Sequence, residues 1–142
     1  MQKENALLIS AFIEEIWNKR NFGQLEAFLH TGFKDHSLPP SLPAGKDGLV
    51  KWITATGDSF EHRTFIEEHV SESDKCMVKL RMQLKHIGAW RGIAPTGLDI
   101  TAVGYRFFKI RSGRIIEHWG LIDGQAIENQ LKNASHGCKI AG

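Results

Sequence analysis

The sequence predicts an α+β domain, with helices first and a meandering antiparallel sheet second. Three observations lead there. Apolar residues recur at a period near 3.6 up to about Phe60 and at a period of 2 from His62 onward. Turn signals separate the alternating segments, at Ser71-Glu72-Ser73-Asp74, at Gly88 to Gly97 and at Arg111-Ser112-Gly113. The 142 residues show no internal repeat and suit one domain, 1-142. A chain of this size buries roughly 70% of its unfolded surface.

The elements follow in order. From about Lys3 to Arg20, Ala6, Ile9, Phe12, Ile13, Ile16 and Trp17 share one helical face. Glu14, Glu15, Asn18 and Lys19 lie on the other face. Asn21-Phe22-Gly23 breaks this helix, and Leu25, Phe28 and Leu29 mark a short second one. Phe33 to Gly45 holds Pro39, Pro40 and Pro43, which makes it an extended loop of a length that usually covers something. Lys46 to about Phe60 is a third helix, weakened near its end by Gly57. Strands are expected from His62 to Val70, from Cys76 to Lys85, from Leu98 to Ile110 and from Arg114 to Ile122. A short helix then runs from Asp123 to about Lys132, and residues 133-142, small and polar, are expected to fray.

Composition excludes several function classes. Net charge is +2 with both signs mixed, and no basic patch is interleaved with aromatics, so nucleic acid is not an expected partner. The N-terminus has neither a signal-peptide nor a membrane-span pattern, which gives a cytoplasmic expectation. Cys76 and Cys138 stand alone, and the seven histidines lack metal-ligand spacing, so no metal is expected. No nucleophile elbow and no phosphate-cradling loop occurs.

What remains is acid–base chemistry on the last strand, Arg114 to Asp123. Strand parity puts Ile116, His118, Gly120 and Ile122 on one face and Ile115, Glu117, Trp119, Leu121 and Asp123 on the other. A histidine on an apolar face either moves protons near neutrality or is a hydrogen-bonded core residue. His36, in the proline loop, either faces solvent or points into what the loop covers. Asp123 precedes the final helix, where an aspartate caps free N–H groups. Glu117 reads as a cross-strand salt-bridge residue. A hairpin at Ser112-Gly113 brings Arg106 level with residues 118 to 120, where it can hold an anionic ligand oxygen, pair with Glu117 or face solvent. Trp17, Trp52 and Trp90 are the aromatic candidates for a substrate-binding wall, with Trp17 either there or in the core.

Four stretches, in register along nearly the whole chain, resemble the SnoaL-like polyketide cyclase (ester cyclase) family. They are Trp17-Asn18 at the end of the first helix, Asp35-His36-Ser37 with its prolines, Gly92-Ile93-Ala94-Pro95-Thr96-Gly97, and Ser112-Gly113-Arg114-Ile115-Ile116-Glu117-His118-Trp119. The resemblance implies a nuclear transport factor 2-like cone, a curved antiparallel sheet wrapped around three N-terminal helices, and a homodimer formed through the sheet. It also implies aldol-type ring closure of a polyketide ester with no cofactor. A carboxylate with a raised pKa would take the proton beside a carbonyl and return it to the new alkoxide.

This chain departs from the pattern that the resemblance implies on its last two strands. The acid/base aspartate directly follows the His-Trp pair, and that position here is Gly120. The neighbouring-strand histidine falls at or next to Arg106. A glycine transfers no proton and clears volume in front of the strand. One reading makes the protein an enzyme for a hydrophobic carbonyl or ester compound, with His118 and His36 replacing the carboxylate and Arg106 steadying an oxyanion. It requires the two imidazoles to converge on one pocket. Another reading is a non-catalytic small-molecule binding or sensing module. A third moves the base to Asp123, against strand parity and the cap role.

Overall fold

A computed structural model describes residues 2–141, and the side chains of residues 3–133. Helix α1 (Gln2–Phe12) continues without a break into a π-helical turn over Ile13–Asn18. There the Lys19 N–H reaches back to the Glu14 carbonyl at 3.0 Å. Single π turns inside α-helices occur often at functional sites. This one is anchored on the sheet: Asn18 donates to the Thr64 carbonyl at 3.0 Å and accepts from the Thr64 N–H at 2.8 Å. Asn18 therefore faces the sheet, not solvent as helical spacing had placed it.

After a 3-10 turn (Phe22–Gln24), helix α2 is a single turn, Leu25–Phe28. Leu29–Asp35 then forms strand β1, a stretch expected to be helix end and loop. Its Leu-His-Thr-Gly-Phe-Lys-Asp run lacks an alternating apolar signal, and a register shift between Leu29 and Lys34 interrupts the pairing. The proline loop follows, and its Pro43 carbonyl lies so close to Gly48 that a Cβ there would collide with it. Helix α3 (Lys46–Ser59) leads into β2 (Phe60–Glu72), β3 (Lys75–His86), β4 (Asp99–Arg111), β5 (Arg114–Ile122) and α4 (Gly124–Ala141). Helix α4 is longer than expected, and the fraying expected of 133-142 falls largely outside the residues whose side chains are described. Cys138 lies there too, whereas Cys76 is buried and free.

The five strands form one curved open sheet in the order β1-β5-β4-β3-β2. It is antiparallel except at one edge, where β1 runs parallel to β5. This corrects the expectation of an all-antiparallel sheet. The helices pack on its concave face over Ile9, Phe12, Ile16, Leu49, Ile53, Val78, Leu80 and Phe108, all buried. Among the described residues no helix is long and apolar enough to cross a membrane.

Strand β5 carries a second correction. Ile110 pairs with Ile115 but Lys109 pairs with Glu117, so Ile116 is an extra residue. Such a bulge shifts parity by one. Ile115, not Ile116, shares the core face with His118. The β4–β5 hairpin itself is as expected, with Ser112 and Gly113 both at positive φ (53° and 72°) in a two-residue turn.

Candidate active site

The site is built where β4 and β5 pair beside the π turn. Arg106 of β4 pairs with Gly120 of β5, and Phe108 pairs with His118. Next to β5, Asp35 ends β1 level with His118. The parallel β1 pairing is what brings this carboxylate to the site.

Asp35, His118 and Arg106 form one buried chain. His118 Nδ1 stands 2.8 Å from Asp35 Oδ2, and His118 Nε2 stands 3.2 Å from Arg106 Nη1. A guanidinium only donates, so Nε2 accepts and Nδ1 carries the proton that it donates to Asp35. Asp35 Oδ1 accepts from the Ser37 N–H at 2.9 Å and from the Ser37 hydroxyl at 2.5 Å. The Gly120 N–H in turn donates to Ser37 Oγ at 2.9 Å.

Protonation follows from these contacts. Burial lowers the His118 pKa, reinforced by the charge of Arg106 and opposed by the bond to Asp35; the net direction is down. His118 is thus neutral at pH 7, and its contact with Asp35 is a hydrogen bond, not an ion pair. Burial tends to raise the Asp35 carboxyl, but the bonds from His118 and Ser37 outweigh it and hold the carboxyl below its usual value. Burial pushes the Arg106 guanidinium down to about 10, against the charge of Asp35. It remains a cation, lying 4.3 Å over the Trp17 ring. A desolvated cation–π contact of this kind is worth about 2 kcal/mol.

In front of this chain lies a cavity of about 560 Å³. Trp17, Trp52, Trp90, Arg106 and Gly120 all line it, together with apolar groups such as Phe60, Met82 and Ile127. Trp17 is both core and wall. His118 sits immediately behind Gly120: a Cβ at position 120 would be 3.4 Å from Nε2 and 2.9 Å from Arg106 Nη1. The space left by the glycine is therefore not free volume for a larger ligand. Arg106 reaches into it.

Two expected site residues lie elsewhere. His36 points to the other face of the sheet, where its ring stacks on Trp119 at 4.5 Å and bonds Glu117 at 3.1 Å. Glu117 and Trp119 alternate with His118, so the two imidazoles do not converge. Glu117 also meets Lys109 across the strands at 3.8 Å, as a salt-bridge residue should. Asp123 is exposed and accepts from the Ala126 N–H at 3.0 Å. It caps α4, because a carboxylate at that position meets the free N–H groups of the first turn, and it does not line the cavity. Asp35 was the residue missed. It is the neighbour of His36 in the chain, and β-strand alternation through Phe33 and Asp35 puts both on one buried face.

Comparison with known proteins agrees with this fold. The SnoaL-like polyketide cyclase model matches residues 7–131. The chain belongs to the SnoaL-like polyketide cyclase family. Among solved structures it is similar to TsrD from Streptomyces laurentii (TM-score 0.81, 20% identity, covering 92% of this chain and 96% of that one). It is also similar to IdmH from Streptomyces antibioticus (TM-score 0.80, 20% identity, covering 89% and 97%). A SnoaL-like polyketide cyclase from Agrobacterium tumefaciens superposes with a TM-score of 0.76 at 20% identity, covering 92% and 99%. At these identities the likeness establishes the nuclear transport factor 2-like cone. No curated protein matches at the sequence level.

Proposed function

We propose that the protein binds a hydrophobic carbonyl or ester compound in the cavity and moves a proton at the carbon beside that carbonyl, without metal or organic cofactor. One observation carries the reading. His118, its Nδ1 held by Asp35, has Nε2 directly behind Gly120 of the cavity wall, with the Arg106 guanidinium between it and the cavity.

The chemistry follows from the contacts. A substrate oxygen takes the Arg106 N–H now given to His118, and the Nε2 lone pair is released. Nε2 accepts the proton from the adjacent carbon, and the electron pair of that C–H bond forms an enolate whose oxygen Arg106 stabilises. The enolate carbon is then reprotonated, or it attacks a second carbonyl of the same molecule and the imidazolium protonates the new alkoxide. Asp35 stabilises the imidazolium meanwhile.

A second reading, non-catalytic binding, is favoured by the 3.2 Å contact that occupies Nε2 and by the absence of carboxylate and imidazole groups from the cavity wall among the described residues. Hydrogen–deuterium exchange of 2-tetralone, followed by NMR, separates the two. Acceleration by the wild type that falls about 10²–10⁴-fold in His118→Ala supports proton transfer. Binding without acceleration leaves the binding module. A homodimer and a cytoplasmic setting belong to the same proposal. The outer sheet face exposes Met77, Val103, Tyr105 and Leu121, a surface suited to a second copy.

A further inference from the structure

One hydroxyl of the cavity wall has its bonding fixed by what stands behind it. Ser37, just past the end of β1, is exposed and lines the cavity. The His36 N–H still bonds the His118 carbonyl at 2.9 Å, as strand pairing requires. One step further the Gly120 N–H meets the Ser37 side chain instead, reaching Oγ at 2.9 Å. The same Oγ lies 2.5 Å from Asp35 Oδ1.

A hydroxyl has one proton to donate and two lone pairs that accept. The Asp35 carboxyl is held below its usual pKa, so it is ionised and only accepts, and the Ser37 proton is committed to it. The Gly120 N–H occupies one lone pair. What remains free on Oγ is a single acceptor position. Asp35 is buried behind the wall, so this position is left to the cavity side.

A donor stands beside the acceptor. Arg106 lines the same cavity and remains a cation. Its Nη1 bonds His118 and its Nε is sealed in, whereas Nη2, unbonded among the described residues, is not sealed. Both groups are tied to Gly120: Ser37 Oγ at 2.9 Å from its nitrogen, Arg106 Nη1 at 2.9 Å from where a Cβ would stand. With ordinary backbone dimensions, Oγ and Nη1 are no more than about 8 Å apart. We infer that Ser37 and Arg106 form a paired recognition site for a hydroxy ketone, whose hydroxyl donates to Ser37 Oγ while the carbonyl oxygen on the same ring accepts from Arg106. Ser37 has no proton left for a ligand, so an ether oxygen at the hydroxyl position meets only a lone pair. Sites built to bond a ligand O–H discriminate against analogues that lack it. The inference rests on the ligand-binding part of the proposed function and narrows its carbonyl compounds to those that also carry a hydroxyl.

The test compares 4-hydroxy-1-tetralone with 4-methoxy-1-tetralone and 1-tetralone by titration calorimetry on the full chain. The hydroxy ketone is expected to bind about 5- to 10-fold more tightly than either analogue, the effect of one hydrogen bond. Ser37→Ala should bring the three within about 2-fold, the size of the remaining polar differences. Equal binding of the three ketones by the wild type overturns the paired site and leaves the proton-transfer reading standing. A preference kept in Ser37→Ala also overturns it, because another hydroxyl of the wall, Thr56 or Ser59, must then supply the acceptor. Binding of none of the three overturns both readings. If Ser37→Ala does not fold, the Gly120 amide resonance of the wild type decides. It shares Ser37 Oγ, and it should move more with the hydroxy ketone than with 1-tetralone; equal shifts overturn the site.

Discussion

The Arg106 guanidinium stands where a side chain at position 120 would have to go: an added Cβ at Gly120 would lie 2.9 Å from Nη1. Position 120 and position 106 are therefore one steric unit, paired across β4 and β5. A residue with any bulk at 120 must displace the charge that faces the cavity.

Gly120→Leu is expected to fold with a cost of about 1–3 kcal/mol, typical of overpacking. It displaces the Arg106 guanidinium and covers His118 Nε2, and should abolish exchange of 2-tetralone. Urea melts and the exchange assay measure the two effects separately. Full exchange activity in this variant would show that the proton does not pass between His118 and the cavity at position 120.

Asp35→Asn removes the charge that raises the His118 pKa while keeping the shape of the side chain. The His118 pKa should fall further, since the bond and the charge of Asp35 are the causes that oppose its burial. Loss of hydrogen bonds to a charged acceptor is expected to cost about 2 kcal/mol. Titration of the imidazole by NMR and denaturant unfolding give both quantities. An unchanged or raised His118 pKa would remove Asp35 from the role assigned to it.

Stability should decline with acid in two stages. His118 and His62 have folded pKa values below 6.5, so the unfolded chain takes up their protons first as pH falls. Stability is complete above 6.5 and is lost from there down to the folded values. Asp35 is lowered from 3.8, so its contribution is present above 3.8 and disappears as pH falls through its lower folded value. Unfolding free energies between pH 8 and pH 4 check the first stage, and His118→Asn should remove its share of that slope. A flat profile down to pH 5 would count against the buried neutral histidines.

The helices and the four strands β2 to β5 were readable because burial imposes a local period on apolar residues: Cys76, Val78, Leu80, Met82 and Leu84 alternate with charged, polar or exposed neighbours. The hairpin at Ser112-Gly113, the level of Arg106 and the cap at Asp123 followed from equally local rules. Trp17, Trp52 and Trp90, the aromatic candidates, all stand in the cavity wall. Strand β1 escaped, because its register shift and its Thr31-Gly32 centre erase the period, and its partner lies some eighty residues away in β5.

What the sequence alone determined was the fold class, the family likeness and the pairing of position 106 with the end of β5. Tertiary structure alone decided which histidine has a buried partner. A single bulged residue, Ile116, sets the parity that turns His118 inward, and alternation at the end of β1 sends Asp35 inward and His36 out to Trp119. Parity depends on register, and register is fixed by pairing between distant strands, so one extra residue exchanges the inner face for the outer one. That is why His36 looked like half of a catalytic pair, and why Asp35, its neighbour in the chain, is the residue that meets His118.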